Sequence, residues 1–411
     1  MSRDTVTSTP GVRVTNPQPS SSKVRRFCSL SLGERVRARG LPPSPSPLPI
    51  CGRPESVGRF MGRGVARAFL RSSRWLLFAV ALAALDVCAP LSNAQAAEKT
   101  VRVNLGTLAP RGSLYHQSLQ AMAEAWRRAP GGGVRLVIYP DGTQGSEADM
   151  VRLMRVGSLQ AGLLTAVGLS DIEPAVSGLQ NIPMLFRSLD EFEHVNELLR
   201  PTLEKRLADK GFVVLFWVDA GWVHYFSKEP VLTPDDLRRM KIFVWSGSPD
   251  QVSIMRHAGF TPVPLETSDI LPGLQTGLIT AAPLPPIFAL AAQVDLRAPH
   301  MLNVNWAPLV GACVVKKDTW DKIPETLREP LLEAATRAGK EIRANSHKES
   351  DNAVAAMQKR GLKVHDPSPE VIEQWRKEAQ KTWPDIRGRI VPAEIFDQVQ
   401  EKLQEYRASR K

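Results

Sequence analysis

The chain has 411 residues, 43% of them hydrophobic and 23% charged, with a formal net charge of +11. That composition excludes a disordered or many-spanning membrane protein, and the length suffices for two or three domains. Nucleic-acid recognition is excluded by where the charge lies: residues 1–96 hold fourteen Lys/Arg against four Asp/Glu, so +10 sits there and the other 315 residues carry +1, too little for a basic patch.

Residues 1–60 are rich in Ser, Pro, Arg and Gly and show no sustained apolar period, so a non-native or disordered leader is expected there. Residues 61–96 read as a secretory signal peptide. Met61 is followed by Arg63, Arg67, Arg71 and Arg74, then by an 11-residue apolar run, Trp75 to Leu85, then by Ala94-Gln95-Ala96. That is the order of a basic region, a hydrophobic region and a small-x-small cleavage site. The run falls short of the roughly 20 apolar residues a membrane span needs. Met61 is read as the true start, Ala97 as the first mature residue, and the periplasm as the destination. Cys28, Cys51 and Cys88 leave with the leader. Cys313 stays alone in the apolar run Leu309–Val315, as a small buried hydrophobe with no disulfide partner.

Strand and helix signals then alternate. Thr100–Leu105 predicts a strand, and Ser113 caps a helix to about Arg128 with Leu119, Met122, Ala123 and Trp126 on one face, broken at Gly131-Gly132-Gly133. Val134–Tyr139 is a second strand, Ser146 caps a helix to Gly157, and Ala161–Val167 is a strand apolar on both faces. This βαβαβ order argues an open α/β domain with helices on both faces. Val213–Val218 adds a buried strand. A second, smaller α/β unit follows: a helix opened by Pro234-Asp235-Asp236-Leu237, strand Lys241–Trp245, helix Pro249–Ala258, strand Thr261–Pro264 and helix Asp269–Thr276. Leu309–Val315 is expected to return to the first domain. A long helix from Pro324 to about Arg360 carries Leu327, Leu331, Ala335, Ala338 and Ile342 on one stripe, long enough at 1.5 Å per residue to lie across both domains. Amphipathic helices near Pro369–Lys381 and Pro392–Arg407 close the chain. The expected division is 97–221 with 310–346 in domain I and 222–309 with 347–411 in domain II. Two lobes joined by crossing segments place a ligand between them, at strand ends.

No nucleophile elbow, Walker motif, H-E-x-x-H or C-x-x-C occurs, and the histidines after residue 96 (His116, His194, His224, His257, His300, His347, His365) show no pair at ligand spacing. No catalytic group, metal or cofactor is expected. Asp235-Asp236 after Pro234 suits a helix N-terminus.

From about residue 100 to 405 the chain resembles the solute receptors of tripartite ATP-independent periplasmic (TRAP) transporters, the DctP-type family. The resemblance is carried by Val103-Asn104-Leu105-Gly106-Thr107 with Gly112-Ser113, by Tyr139-Pro140 through Gly145-Ser146-Glu147, and by Ile182-Pro183-Met184-Leu185-Phe186-Arg187-Ser188. Pro230, Pro234, Asp236-Leu237 and Lys241 follow at the family's spacing, then Leu274-Gln275-Thr276-Gly277. It implies a bilobal periplasmic-binding-protein fold, two α/β domains with a long helix crossing both and a cleft between them. Three polar anchors of the family are replaced. Phe243 stands where an arginine clamps a ligand carboxylate, Val223 replaces a second arginine, and the amide-bearing turn reads Thr280-Ala281-Ala282-Pro283-Leu284-Pro285. Phe cannot make the bidentate bond of a guanidinium.

The chain is therefore similar to the branch that lacks this arginine and works with a periplasmic tetratricopeptide-repeat partner. Its expected pocket is apolar: Phe243, Trp245, Trp222, Val223, Leu284, Pro285 and Trp306, with Thr107, Ser113, Gln144 and Thr165 as polar contacts at strand ends. The resemblance implies a receptor that captures a small hydrophobic or amphipathic ligand by lobe closure, an organic acid being the alternative. It would hand the ligand to small and large membrane permease subunits. Two rival readings are an exported ligand sensor for a membrane receptor and a periplasmic enzyme in the same fold.

Overall fold

The computed structural model describes residues 100–130 and 133–410; the expected leader, the signal peptide and Gly131-Gly132 lie outside them. Alternating Val101, Val103 and Leu105 form β1 (Val101–Thr107), with Val103 and Leu105 fully buried. Ser113 caps α1 (Leu114–Arg127), whose Leu119, Met122 and Trp126 face inward. β2 (Val134–Tyr139) leads to α2 (Glu147–Arg155), where Ser146 and Asp149 form a reciprocal capping box. β3 (Ala161–Thr165) and the short α3 (Ala166–Ser170) follow. β1 lies between β2 and β3, parallel to both, as the βαβαβ reading requires.

α4 (Leu189–Asp209) is a 21-residue helix absent from the sequence reading. Its signals are ordinary: Ser188 accepts from Glu191 N, and Phe192, Val195, Leu199, Leu203 and Leu207 fall at helical spacing. Pro201 inside it masks the pattern. β4 (Phe212–Trp222) runs well past the expected Val218, because β10 pairs with it antiparallel from Phe212 to Trp222.

The second sheet begins with β5 (His224–Ser227), then α5 (Pro234–Arg238), β6 (Lys241–Trp245), α6 (Pro249–His257), β7 (Thr261–Leu265), α7 (Ile270–Thr276), β8 (Ala281–Leu284), α8 (Pro286–Ala291) and β9 (His300–Leu302). At α5 the acid pair has the expected role: Asp236 accepts from Thr233 N while the Thr233 hydroxyl accepts from Asp236 N. β10 (Pro308–Lys316) returns to the first sheet as expected, between β3 and β4. The short α9 (Lys317–Trp320) leads into α10 (Glu325–Lys359), a single 35-residue helix about 52 Å long at 1.5 Å per residue. β11 (Lys363–His365), α11 (Pro369–Ile386) and α12 (Ala393–Ser409) complete the chain. No described helix is long and apolar enough to cross a membrane.

The sheets run β2-β1-β3-β10-β4 and β11-β9-β5-β8-β6-β7, and each is covered on both faces. One face of the first sheet packs on α2, α4 and α12, the other on α1 and the first half of α10. Cys313 lies in the latter layer, fully buried, and burial pushes its thiol far above the ordinary range. The second sheet has α7, α8 and Met357 of α10 on one face and α5 and α11 on the other. α10 thus contributes Leu327 to Ile342 to one lobe and Met357 to the other. The segment 347–411, expected wholly in domain II, is shared. α11 buries Trp375 in the second lobe, whereas α12 buries Ile395, Phe396, Val399 and Leu403 beside Leu199 and Trp217 of the first.

Candidate functional site: the hinge and the facing strand ends

Three connections join the sheets, Trp222-Val223 at the β4–β5 junction, residues 303–307 between β9 and β10, and the middle of α10, and a fourth crossing, residues 387–392, carries the chain from α11 back to α12 on the first lobe. The first two are bonded to each other. Val223 N donates to the Ala307 carbonyl at 2.9 Å, and Trp306 N donates to the Val223 carbonyl at 3.3 Å. The loop carrying Ile182 to Arg187 braces this crossing, since Met184 N donates to the Trp306 carbonyl at 2.7 Å. A pair of bonded strands plus one helix is the construction of a hinge, where a few backbone angles absorb the motion of rigid lobes.

On the first lobe the ends of β1 and β3 carry the expected hydroxyls. Thr107 is 1% exposed, and its Oγ1 accepts from Ala109 N at 3.1 Å. Ser113 Oγ caps α1 by accepting from His116 N. Thr165 Oγ1 donates to Glu147 at 2.6 Å and accepts from Val167 N at 3.2 Å. These hydroxyls make local bonds within the protein, while Gln144 lies half-buried in the turn after β2. Glu147 accepts from Thr165 N, Thr165 Oγ1 and Gly168 N, and its complete burial raises its pKa despite those bonds. It fastens the start of α2 to the end of β3.

On the second lobe Phe243, Trp245 and Leu284 belong to one apolar cluster with Phe226, Ile270 and Leu274. Phe243 is 8% exposed, whereas Trp245 and Leu284 at the strand ends are half-buried. The Trp245 ring lies on Gly247, where a Cβ would stand 2.1 Å from it, so a larger residue there would displace the ring. Pro285 is buried just ahead of α8. Trp306 joins a different cluster, edge-on to Tyr225 at 5.3 Å and to Trp375 at 6.1 Å. Trp222 packs on the first lobe, and Val223 is buried at the crossing. The expected apolar set is therefore distributed: Phe243, Trp245 and Leu284 share one wall, Trp222, Val223 and Trp306 flank the hinge, and Pro285 precedes α8.

Arg187 and Arg297, the arginines that could serve as a carboxylate clamp in place of Phe243, are both exposed, Arg187 in the loop before α4 and Arg297 in the turn after α8. His224, which follows Val223, is buried with Nδ1 unpaired among the described residues, and burial lowers its pKa to about 4. Composition and spacing give no sign of that environment. Nor do they show that His300 and His365, remote in sequence, meet across β9 and β11 with Nδ1 to Nε2 at 2.8 Å. No group of three or more His, Cys, Asp or Glu among the described residues could hold a metal ion.

Residues 105–388 match the model of the bacterial extracellular solute-binding protein family 7, DctP. The chain belongs to this family. Among curated relatives of this DctP-family protein, the 2,3-diketo-L-gulonate-binding periplasmic protein of Escherichia coli is 24% identical over 303 residues, which cover 72% of this chain and 88% of that protein. Among solved structures, a TRAP periplasmic solute-binding protein of Chromohalobacter salexigens with bound D-glucuronate superposes with a TM-score of 0.68 at 20% identity, covering 74% of this chain and 99% of that one. One from Sulfurospirillum deleyianum with bound succinate gives 0.67 at 20% identity, covering 74% and 98%. The bilobal α/β fold expected from sequence is the fold of these proteins. The family consists of extracytoplasmic solute-binding proteins, and that is the class of this chain.

Proposed function

We propose that this protein is the periplasmic receptor of a TRAP transporter, capturing a small amphipathic ligand by closing its lobes about the Val223–Ala307 hinge. It would then deliver the ligand to small and large permease subunits, with a periplasmic tetratricopeptide-repeat protein as a further partner. The observation that carries the ligand class is the wall formed by Phe243, Trp245 and Leu284. In this reading Phe243, a buried ring, stands at the family's clamp position, and Val223, also buried, stands in place of the second cation. Burying apolar ligand area there contributes about 25 cal/mol per Å² before association costs. The half-buried strand-end residues Trp245 and Leu284 are the ones a ligand reaches; Phe243 backs them. Export after cleavage at Ala96 belongs to this reading, with residues 1–60 dispensable.

Succinate and glucuronate in related structures favour a second reading, an organic-acid ligand. Native mass spectrometry of protein purified from the periplasm separates the two, followed by titration with a medium-chain alcohol and with succinate. Retention of an amphipathic molecule and quenching of Trp fluorescence by the alcohol are expected. Tight succinate binding with no response to the alcohol would establish the acid reading instead.

A further inference from the structure

The end of β4 carries a polar cluster that ligand capture leaves unused. Asp219, 8% exposed, accepts from Gly221 N at 3.0 Å through Oδ1, and the same oxygen lies 3.0 Å from His347 Nε2 on α10. The Asp219 carbonyl accepts from the Tyr115 hydroxyl at 2.8 Å, and Ser350 Oγ of α10 donates to the Ala220 carbonyl at 3.4 Å. Gly221 has φ +72°, a left-handed conformation that glycine adopts without strain. One carboxylate thus holds the backbone turn that begins the Trp222-Val223 crossing, and the same carboxylate is tied to the helix that spans both lobes. A pocket of about 50 Å³ adjoins the pair, lined by Glu193, Asn196, Trp217, Arg343 and both partners. Asn196 is 5% exposed there, with Oδ1 unpaired among the described residues.

We propose that Asp219 and His347 form a proton-operated latch that positions the hinge. With the imidazole protonated, the charge-assisted bond holds α10 against the Asp219–Gly221 turn and favours this hinge geometry. With the imidazole neutral, the attraction weakens and the crossing moves more freely. Both are positioning residues, and neither is assigned a ligand contact. The groups facing His347 are Asp219 from β4, Glu193 from α4, and Asp351 and Arg343 from its own helix. Arg343 is engaged by Glu197 of α4 at 3.3 Å. The bond to Asp219 is the largest influence raising the pKa of His347, burial opposes it, and the charges of Asp219, Glu193 and Asp351 add to the rise. Because the folded value lies above the ordinary value of about 6.5, the latch is fully engaged below that pH and is lost as pH rises through the raised value. His347 keeps 47% of its side chain exposed, so it exchanges protons with solvent directly.

The purpose of the latch rests on the lobe-closure reading; its test does not need the ligand. Histidine-labelled full-length secreted protein is titrated by NMR from mildly acidic to alkaline pH. Amide hydrogen exchange at Gly221 to His224, normalised to intrinsic rates, is followed over the same range. His347 should titrate above the ordinary histidine value, and Asp219→Asn should lower that midpoint by about one pH unit, a tenfold loss of proton affinity. Protection at the crossing should fall at the His347 midpoint. His347→Gln should abolish that step while leaving the thermal midpoint at alkaline pH unchanged. The latch is overturned by an ordinary His347 midpoint insensitive to Asp219→Asn, by flat protection across a raised midpoint, or by a step that persists in His347→Gln. Native mass spectrometry tests the receptor reading independently, so either can fail alone.

Discussion

Replacing Phe243 by arginine would supply the residue type that the family resemblance leads one to expect there, and the structure predicts that the result is unfolding rather than a carboxylate clamp. A phenylalanine side chain offers about 150–250 Å². With 8% exposure, nearly all of it is out of water among Phe226, Ile270 and Leu274. At about 25 cal/mol per Å² that burial stabilises the fold by about 3–6 kcal/mol, in line with measured losses of about 3–5 kcal/mol for Phe→Ala in cores. Phe243→Arg forfeits the packing and adds an unpaired charge, a further cost of several kcal/mol against a total stability of about 5–15 kcal/mol. Phe243→Leu keeps the apolar contact and should cost about 1–1.5 kcal/mol. Urea unfolding of the three proteins, followed by Trp fluorescence, measures the difference. Titration of the folded variants with succinate and a medium-chain alcohol reads the site. A Phe243→Arg protein with the wild-type urea midpoint and new affinity for succinate would refute the reasoning, because Phe243 would then have to lie in a solvated cleft.

Cys313 should not react with a thiol reagent at pH 8 in the native protein and should react at once in urea; modification within minutes under native conditions would contradict its burial. Arg360 holds Asp295 through two bonds, at 2.6 and 2.9 Å, with the Asp295 side chain 1% exposed. Arg360→Ala should therefore cost about 3–5 kcal/mol in urea unfolding, and a loss below 1 kcal/mol would mean that the carboxylate finds water. Glu147→Gln sets an amide NH₂ against donors from Thr165 and Gly168 and should cost about 1–3 kcal/mol by the same assay. The depressed pKa of His224, about 4, means that the unfolded chain binds a proton there that the folded protein does not. Stability should fall by about 3 kcal/mol as pH drops from about 6.5 to 4. The slope attributable to this residue should vanish in His224→Phe, and an unchanged slope would assign the acid sensitivity elsewhere.

Legibility from sequence followed the range of the interactions. Helices α1, α2, α10, α11 and α12 show themselves through caps and apolar stripes, which are local. Ser113 and Ser146 cap where expected, and Thr233 with Asp236 supplies the reciprocal cap at α5. β5, β8, β9 and β11 were silent because strands of three or four residues carry no measurable alternation, and β8 contains Pro283. The overrun of β4 to Trp222 depends on β10, far along the chain. Of the residues the motif singled out, Phe243 lies in β6 and Val223 in the crossing between β4 and β5. The motif could not show that Thr165 spends its hydroxyl on Glu147, eighteen residues away, because that partner is set by the fold.

The same distinction separates the lobes from the hinge. A lobe can be assembled from periodic apolar faces, since hydrophobic burial is non-directional and tolerates many sequences. A hinge needs a defined backbone path that bends without collapsing, and that requires directional bonds to buried polar groups. Here those bonds join residues far apart: Asp219 with His347, Val223 with Ala307 and with Trp306, and Met184 with Trp306. Gly221 is the one member with a local signature, and it signals only conformational freedom. The long helix supplies the rest, because α10 packs apolar residues into both lobes yet presents Ser346, His347 and Ser350 between them. A rigid helix with a polar waist transmits a change at the hinge to both lobes. A proton on His347 therefore acts where one carboxylate, Asp219, bonds both the backbone that begins the crossing and the spanning helix.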